Sequence, residues 1–161
     1  MKLAKLINQI LKTGLIFIGV ILIILAVASQ TQASDCELLS PDVAYTTYEG
    51  SHYFLTNPGT WECARSQANN VGGELVSIHD REKSQFLADT YSGEYLWIGL
   101  LKVNGYWTWS DGTVFDFPNW APGEPSYYPN QNVGILNMYA NRTQFAAFWP
   151  NVIYRGIVQI N

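Results

Sequence analysis

The chain has 161 residues, of which 14% are aromatic and 14% are charged. This length suits one domain after removal of a processed segment, and so many aromatic rings exceed what one core needs. Three of the nine Lys and Arg lie in the first twelve residues, which leaves six against thirteen Asp and Glu, a net charge of −7, from Ser34 onward. An acidic chain without a basic stripe repels phosphate backbones, which argues against nucleic acid as a partner.

The N-terminal segment has the order of an export signal. Three lysines precede fifteen uncharged residues at 14–28, and small residues suited to cleavage follow at 26–28 and 31–33. This order predicts a secretory signal peptide over residues 1–33, and hence a secreted chain that is extracellular or periplasmic. The alternative is an uncleaved membrane anchor, although a span usually needs about 20 apolar residues. Only that alternative brings the chain to a membrane.

The chain has two cysteines, Cys36 and Cys63. Export would bring both into an oxidising compartment, where such a pair forms a disulfide. A loop of about 27 residues closed in this way is worth about 3 kcal/mol in the chain-entropy model. The alternative is two free thiols, with Cys63 buried on a helix.

A leader over residues 34–47 is followed by a domain over 48–161. The first strand is predicted over 48–55, where Tyr53, Phe54 and Leu55 suit a strand. Thr60 then suits the N-cap of a helix, because apolar residues recur at helical spacing after it. Gly72-Gly73 marks the end of this helix.

A second helix and several strands complete the predicted elements. Asp80 suits the N-cap of the second helix, whose apolar side holds Phe86, Leu87 and Tyr91 and which ends at 92–93. Apolar or alternating runs that suit strands lie at 95–100, 106–109, 133–138, 145–149 and 153–160. Two early helices and a later sheet predict an α+β domain.

Residues 110–132 form a long stretch between two predicted strands, with four prolines and two glycines. A structureless loop of more than about 15 residues is uncommon in a compact domain and is usually functional. We therefore expect the scaffold to present this loop as the binding region.

Five short motifs follow one another between residues 45 and 161. They are WECAR at 61–65 with GGEL at 72–75, WIGL at 97–100, WTWSDG at 107–112, NW at 119–120 with GEP at 123–125, and FW at 148–149. In this order and spacing they resemble the C-type lectin-like domain family. The resemblance implies a double-loop α+β fold, in which two helices flank small antiparallel sheets, the chain ends meet and a long surface loop carries the binding site. It also makes Trp97 a core residue and Gly99 a point of close backbone approach.

The family's two usual disulfides have no counterpart in this chain. Their positions fall on Ala68 and near Val158, and on 132–133 and near Tyr154. The resemblance therefore implies a bacterial-type member that lacks the usual disulfides and is held by packing, with Cys36–Cys63 as a bond of its own.

The family's calcium ligands are mostly changed. Glu124 keeps the first carboxylate, Ser126 replaces an asparagine, a further glutamate falls on Asn130 or Gln131, and Asn151 replaces an aspartate. Calcium takes six to eight oxygens, several of them from carboxylates. No cofactor is assigned, and calcium at Glu124, Ser126 and Asn151 is an alternative that this ligand set disfavours.

Amides and aromatic rings remain as the binding groups of the loop and of the edge at 149–151. The candidate ligand-binding residues are Glu124, Ser126, Tyr127, Tyr128, Asn130, Gln131, Asn132 and Asn151. They suit carbohydrate recognition, with Glu124 as the main polar anchor, or binding of an extracellular protein, because tyrosines are common hot spots. The two tyrosines could instead pack on the scaffold, and Trp120 is interpreted as core.

The residues of a catalytic site are missing from the sequence. His52 and His79 belong to no metal-ligand pair, and the chain contains no nucleophile elbow. Glu62, Glu82 and Asp89 fall on solvated helix faces. The sequence therefore predicts a binding module and not an enzyme.

Overall fold

The computed structural model describes residues 36–39, 43–136 and 142–161. The predicted signal peptide at 1–33 lies outside these residues, as do 34–35 and 40–42 of the leader and the last two residues of the run at 133–138. Within the described ranges, no helix is both long enough and apolar enough to cross a membrane.

The first helix, α1, spans Trp61–Asn70. The Thr60 hydroxyl accepts a hydrogen bond from the backbone N–H of Cys63 at 3.2 Å, which confirms the predicted N-cap. After the helix, Gly72 has a φ of 80°, a conformation that glycine adopts at little cost. The predicted end of this helix is also confirmed.

The second helix, α2, spans Arg81–Thr90, and the Asp80 carboxylate accepts from the backbone N–H of Lys83 at 2.7 Å, as its predicted N-cap role requires. Leu87 is buried as expected. Lys83 is buried as well, which its sequence position did not suggest. Its Nζ donates to Gln159 Oε1 at 2.8 Å, and burial lowers the pKa of this lysine. One hydrogen bond and the stem's packing thus offset part of the desolvation cost.

The predicted single strand over 48–55 is wrong. The chain forms two antiparallel strands, β1 (Thr46–Tyr48) and β2 (Ser51–Leu55), joined by a turn at Glu49 and Gly50. Both turn residues have positive φ, 49° and 83°, which is typical of the two-residue hairpins that match strand twist. β1 therefore begins two residues inside the predicted leader.

The other strands build one mixed sheet with these two. They are β3 (Glu74–Leu75), β4 (Leu96–Val103), β5 (Tyr106–Trp109), β6 (Val133–Leu136), β7 (Ala146–Phe148) and β8 (Arg155–Ile160). The order is β1-β2-β8-β4-β6-β7, with β3 paired to β8 and β5 to β4. The α+β class is confirmed, and the parallel β4–β8 pair is an addition to the expected antiparallel sheets.

The second strand of the domain and the last one lie side by side. β2 pairs with β8 along four residues, and the Ser51 hydroxyl donates to Asn161 Oδ1 at 2.9 Å. The expected meeting of the domain's ends is confirmed.

Trp97 and Gly99 hold the centre of the core. Trp97 is fully buried, and its indole N–H donates to the carbonyl of Gly59 at 3.0 Å. A Cβ on Gly99 would lie 2.5 Å from the carbonyl oxygen of Leu75, a distance that a side chain cannot occupy. Both residues therefore have the structural roles that the resemblance implies.

A disulfide joins Cys36 to Cys63, with 5.4 Å between their Cα atoms. It ties the leader to α1 and confirms the predicted pairing. The interpretation as a bacterial-type member, which rested on missing disulfides, is not supported, because the chain does carry one.

Apolar packing occupies the places of the family's two usual disulfides. Ala68 and Val158 are both fully buried in one apolar cluster with Phe54. Val133 is buried in a second cluster, against which Tyr154 packs. Packing thus joins the same pairs of elements that bonds would join.

Candidate functional site

The long stretch at 110–132 is a loop in the structure, as predicted. It leaves β5 and enters β6, and in its middle Trp120 forms an isolated bridge with Phe145, the residue before β7. Tyr127 and Tyr128 lie in irregular backbone. The scaffold therefore presents the loop from two strand ends.

Aromatic packing anchors the middle of the loop. Trp120 is half-buried, with its ring 4.9 Å from Trp107, 5.8 Å from Phe115 and 6.2 Å from Phe145. The backbone N–H of Ala121 donates to the carbonyl of Phe145 at 2.9 Å. Trp120 therefore packs against the core, as the interpretation of the sequence expected, but it is only partly buried.

Glu124 joins the loop to the sheet edge. Its Oε2 accepts from the backbone N–H groups of Ser126 and of Ala147 in β7, both at 2.9 Å. Hydrogen bonds to a charged acceptor contribute more than neutral ones, about 1.5–3 kcal/mol each. The half-buried carboxylate is therefore a connection within the protein. The following peptide bond, Glu124–Pro125, is cis.

Two further candidate residues contact each other. The Ser126 hydroxyl hydrogen-bonds Gln131 Oε1, and the Gln131 side chain is 9% exposed. Gln131 therefore points inward and supports the loop's turn. A glutamine amide can hydrogen-bond either the protein or a ligand. The sequence alone therefore could not tell whether Gln131 supports the loop or binds a ligand.

The remaining candidates are exposed. Tyr127 is fully exposed, Tyr128 is 67% exposed, and Asn130, Asn132 and Asn151 are exposed as well. The backbone of Asn132 continues the sheet, since its N–H donates to Phe148 at 3.2 Å and its carbonyl accepts from Lys102 at 2.8 Å. Its amide side chain is left at the surface.

Trp149 joins this surface. The sequence included it in the expected binding edge at 149–151 but did not name it among the individual ligand-binding residues. It is 38% exposed, and its ring lies 6.3 Å from that of Tyr128, at 40° between the planes. The Trp149–Tyr128 pair unites the loop with the edge at 149–151. The signal that could have found it is the aromatic residue directly before Pro150 and Asn151.

The family's calcium position does not fit calcium in this chain. Glu124 supplies one carboxylate, whose Oε2 already accepts two N–H donors, Ser126 is bonded to Gln131, and Asn151 is a neutral amide. Across the described part of the chain, no three His, Cys, Asp or Glu side chains group closely enough to hold a metal ion. A hard dication needs more carboxylate oxygens than this set provides.

A polar network ties down the start of the loop. His79 Nδ1 lies 2.7 Å from Asp116 Oδ1, and Ser77 and Thr113 donate their hydroxyl protons to the two oxygens of Asp111 at 2.7 and 2.6 Å. Partial burial raises the pKa of Asp111, but the bonds from Thr113 and Ser77 outweigh it, so the pKa lies below its usual value. The hydrogen bond with His79 lowers the pKa of Asp116.

This network holds structure and does not activate a nucleophile. Thr113 Oγ1 lies 3.2 Å from His79 Nε2, but its proton is directed to Asp111 at 2.6 Å. A histidine that takes a hydroxyl proton needs that proton directed to its own nitrogen.

Residues 57–141 match the model of the protein family described as the lectin C-type domain. The chain is 42% identical over 77 residues to the low affinity immunoglobulin epsilon Fc receptor of Homo sapiens, across 47% of this chain and 24% of the receptor. It covers less than two thirds of the length of such curated relatives.

Solved structures share the fold over most of the described domain. The mouse scavenger receptor C-type lectin carbohydrate-recognition domain has a TM-score of 0.67 at 26% identity, covering 76% of this chain and 96% of that one. A calcium-independent type II antifreeze protein has a TM-score of 0.67 at 25% identity, covering 77% and 95%. The expected double-loop architecture is therefore confirmed.

Proposed function

The chain belongs to the lectin C-type domain family, and we propose that it is a secreted module that binds saccharide without calcium at its exposed loop. The observation that carries this proposal is the Tyr128–Trp149 pair, whose rings lie at the surface 6.3 Å apart. The apolar C–H face of a sugar ring stacks on such rings. The exposed amides of Asn130, Asn132 and Asn151 supply donors and acceptors for its hydroxyls.

The rigidity of the loop supports this role. Trp120 anchors its middle, Glu124 joins it to β7, and the four prolines at 118, 122, 125 and 129 restrict its backbone. A surface that is ordered before binding loses less entropy when the ligand arrives.

Independence from calcium is supported by the use that the protein makes of Glu124. The carboxylate that would hold the ion instead accepts two backbone N–H bonds that shape the loop. A protein of the same fold is described as a calcium-independent type II antifreeze protein. This supports the view that the fold stands without the ion.

Secretion is supported by the signal-like sequence at 1–33 and by the Cys36–Cys63 bond, which suits an oxidising compartment. Members of this family are binding modules, and the proposal assigns no catalytic step.

Binding of an extracellular protein is the second candidate function. It is favoured by the full exposure of Tyr127, which makes no described ring contact and is typical of a protein hot spot. The relative in Homo sapiens is named as a receptor for immunoglobulin epsilon, which is a property of that receptor.

A glycan array probed in calcium and in EDTA tests the proposal. We expect saccharide signals of equal strength in both buffers and their loss in Tyr128→Ala. Tyr106→Ala is the matched control, because Tyr106 is an 80% exposed tyrosine on β5, outside the loop. Signals lost in EDTA contradict calcium independence, and an array without any signal contradicts saccharide binding and leaves the protein-binding candidate.

A further inference from the structure

A second cleft lies beside the proposed site, next to the β7–β8 loop. It has a volume of about 290 Å³. Its walls are formed by Pro58, Glu94, Tyr95, Ile153, Tyr154 and Arg155. None of these residues was a candidate for ligand binding in the sequence, because they come from three distant segments of the chain.

The cleft has apolar walls and a neutralised polar rim. Tyr95 is 46% exposed and Ile153 is 58% exposed, so two large apolar side chains are open to solvent in one depression. Arg155 Nη1 lies 3.5 Å from Glu94 Oε1, so the two charges compensate each other. Such a cleft suits an uncharged ligand that has both apolar faces and hydroxyl groups.

A row of aromatic rings, here called the aromatic belt, connects the cleft to the Tyr128–Trp149 pair. The distances between successive ring centroids are 6.3, 5.3, 5.8 and 5.7 Å. The five rings, in order, are Tyr128, Trp149, Phe148, Tyr154 and Tyr95. The two ends of the belt are exposed, and its middle rings, Phe148 and Tyr154, are half-buried, so each ring of the row keeps some contact with solvent.

The core fixes the middle of the belt. Trp97 lies under it, with ring centroids 6.1 Å from Phe148 and 5.2 Å from Tyr154. Since the Trp97 indole is fully buried and hydrogen-bonded to Gly59, the belt rests on a rigid support. The surface is thus ordered before any ligand arrives, as the loop is.

We infer that the binding surface extends along the aromatic belt into this cleft, and that the ligand is a linear, uncharged oligosaccharide of several units. This inference rests on the proposed saccharide binding at the loop. Four successive steps between rings exceed the size of one sugar ring, so a single terminal sugar fills only one end. A chain of repeating sugars presents an apolar face and hydroxyls at each unit. The apolar faces match the aromatic rings at both ends of the belt. The hydroxyls match the asparagine amides at the loop end and the paired charges of Arg155 and Glu94 at the cleft end.

Calorimetric titration with cello-, laminari- and chito-oligosaccharides of one to six units, in EDTA, tests the inference. For the series that binds, we expect the association constant to rise about tenfold or more from one unit to the plateau. Tyr95→Ala and Ile153→Ala should remove this gain and leave the affinity for one unit unchanged. Tyr128→Ala should weaken binding at every length.

Two controls separate stacking from folding and from other tyrosine effects. Tyr95→Phe keeps the ring and should keep the gain with length, and Tyr106→Ala should behave as the unaltered protein. An affinity that does not change with length, or a gain that survives in Tyr95→Ala and Ile153→Ala, overturns the extended site while leaving saccharide binding intact. Failure of every saccharide to bind at any length overturns both proposals.

Discussion

Residues 110–126 and residues 127–130 belong to one loop, yet they differ in what surrounds their side chains. The first segment, the loop base, is tied to the scaffold at three points: the Asp111 and Asp116 network, the ring of Trp120 and the carboxylate of Glu124. Every residue of the second segment, the loop tip, is exposed.

The residues that match the family's motifs and the residues proposed to contact a ligand thus lie in different segments of the loop. The base contains the positions that resemble the family most closely, and there Glu124 and Ser126 make bonds within the protein. The tip contains Tyr127 and Tyr128, which belong to no motif and face solvent. In this chain the motif residues of the base support the loop, and the proposed ligand contacts of the tip lie outside the motifs.

The largest expected effect comes from removing the ring that anchors the base. Trp120→Ala should lower the free energy of unfolding by about 3 kcal/mol, because a large ring packed against Trp107, Phe115 and Phe145 leaves a cavity. Tyr127→Ala in the tip should change it by less than about 0.5 kcal/mol. Urea denaturation of both variants measures these free energies of unfolding. Equal losses in the two variants would contradict the distinction between the loop base and the loop tip.

A smaller loss should follow from changing the carboxylate that joins the base to β7. Glu124→Ala should cost about 1.5–3 kcal/mol, because the N–H groups of Ser126 and Ala147 lose their acceptor. This is less than the sum of two separate bonds, because the site is half-buried and water can replace part of what is lost. Glu124→Gln keeps a carbonyl oxygen and should cost less than half of this. The same denaturation assay compares them, and a Glu124→Ala variant as stable as the unaltered protein would refute the structural role.

Acidic pH should destabilise the start of the loop base. The pKa of Asp111 lies below its usual value in the folded protein, so its ionised form contributes stability at neutral pH. That contribution is lost as the pH falls through about 4 and below. Because Asp111 is largely exposed, we expect only about 0.5 kcal/mol.

Melting temperatures measured from pH 7 down to pH 3 give the readout for this effect. Asp111→Asn should flatten the acid-side loss, whereas Asp89→Asn, on the exposed face of α2, should retain it. If Asp111→Asn lost as much melting temperature between pH 7 and pH 3 as the unaltered protein, the stabilising role of ionised Asp111 would be contradicted.

The smallest expected effect is that of calcium. A ligand at a hundredfold excess over its dissociation constant stabilises a fold by about 2.7 kcal/mol, so a tight ion would raise the melting temperature visibly. We expect no change between EDTA and millimolar calcium, because Glu124 is committed to backbone donors. A rise of several degrees in calcium alone would contradict the account of the base.

Local signals were sufficient to predict much of the scaffold. Thr60 and Asp80 were identified as caps because a side-chain oxygen before an apolar periodicity has one common use, and the caps form as expected. The turn at Glu49 and Gly50 was missed, because Gly50 alone signals a turn there and glutamate seldom takes positive φ.

The proposed binding surface was predictable only in part. The loop follows from its prolines and its length, but nothing local tells an inward Gln131 from an outward Asn130. The aromatic belt could not be found from the sequence, since Tyr95 and Tyr154 come together only when β4 and β8 lie side by side. Such proximity follows from topology and not from spacing.

The most direct test of a structural base and a binding tip is one titration in EDTA with the strongest saccharide of the array. The unaltered protein and a Tyr127→Ala, Tyr128→Ala double variant are compared at equal stability. We predict that the unaltered protein binds and that the double variant binds at least about tenfold more weakly, with an unchanged midpoint of unfolding. Equal affinity of the two proteins would contradict the account.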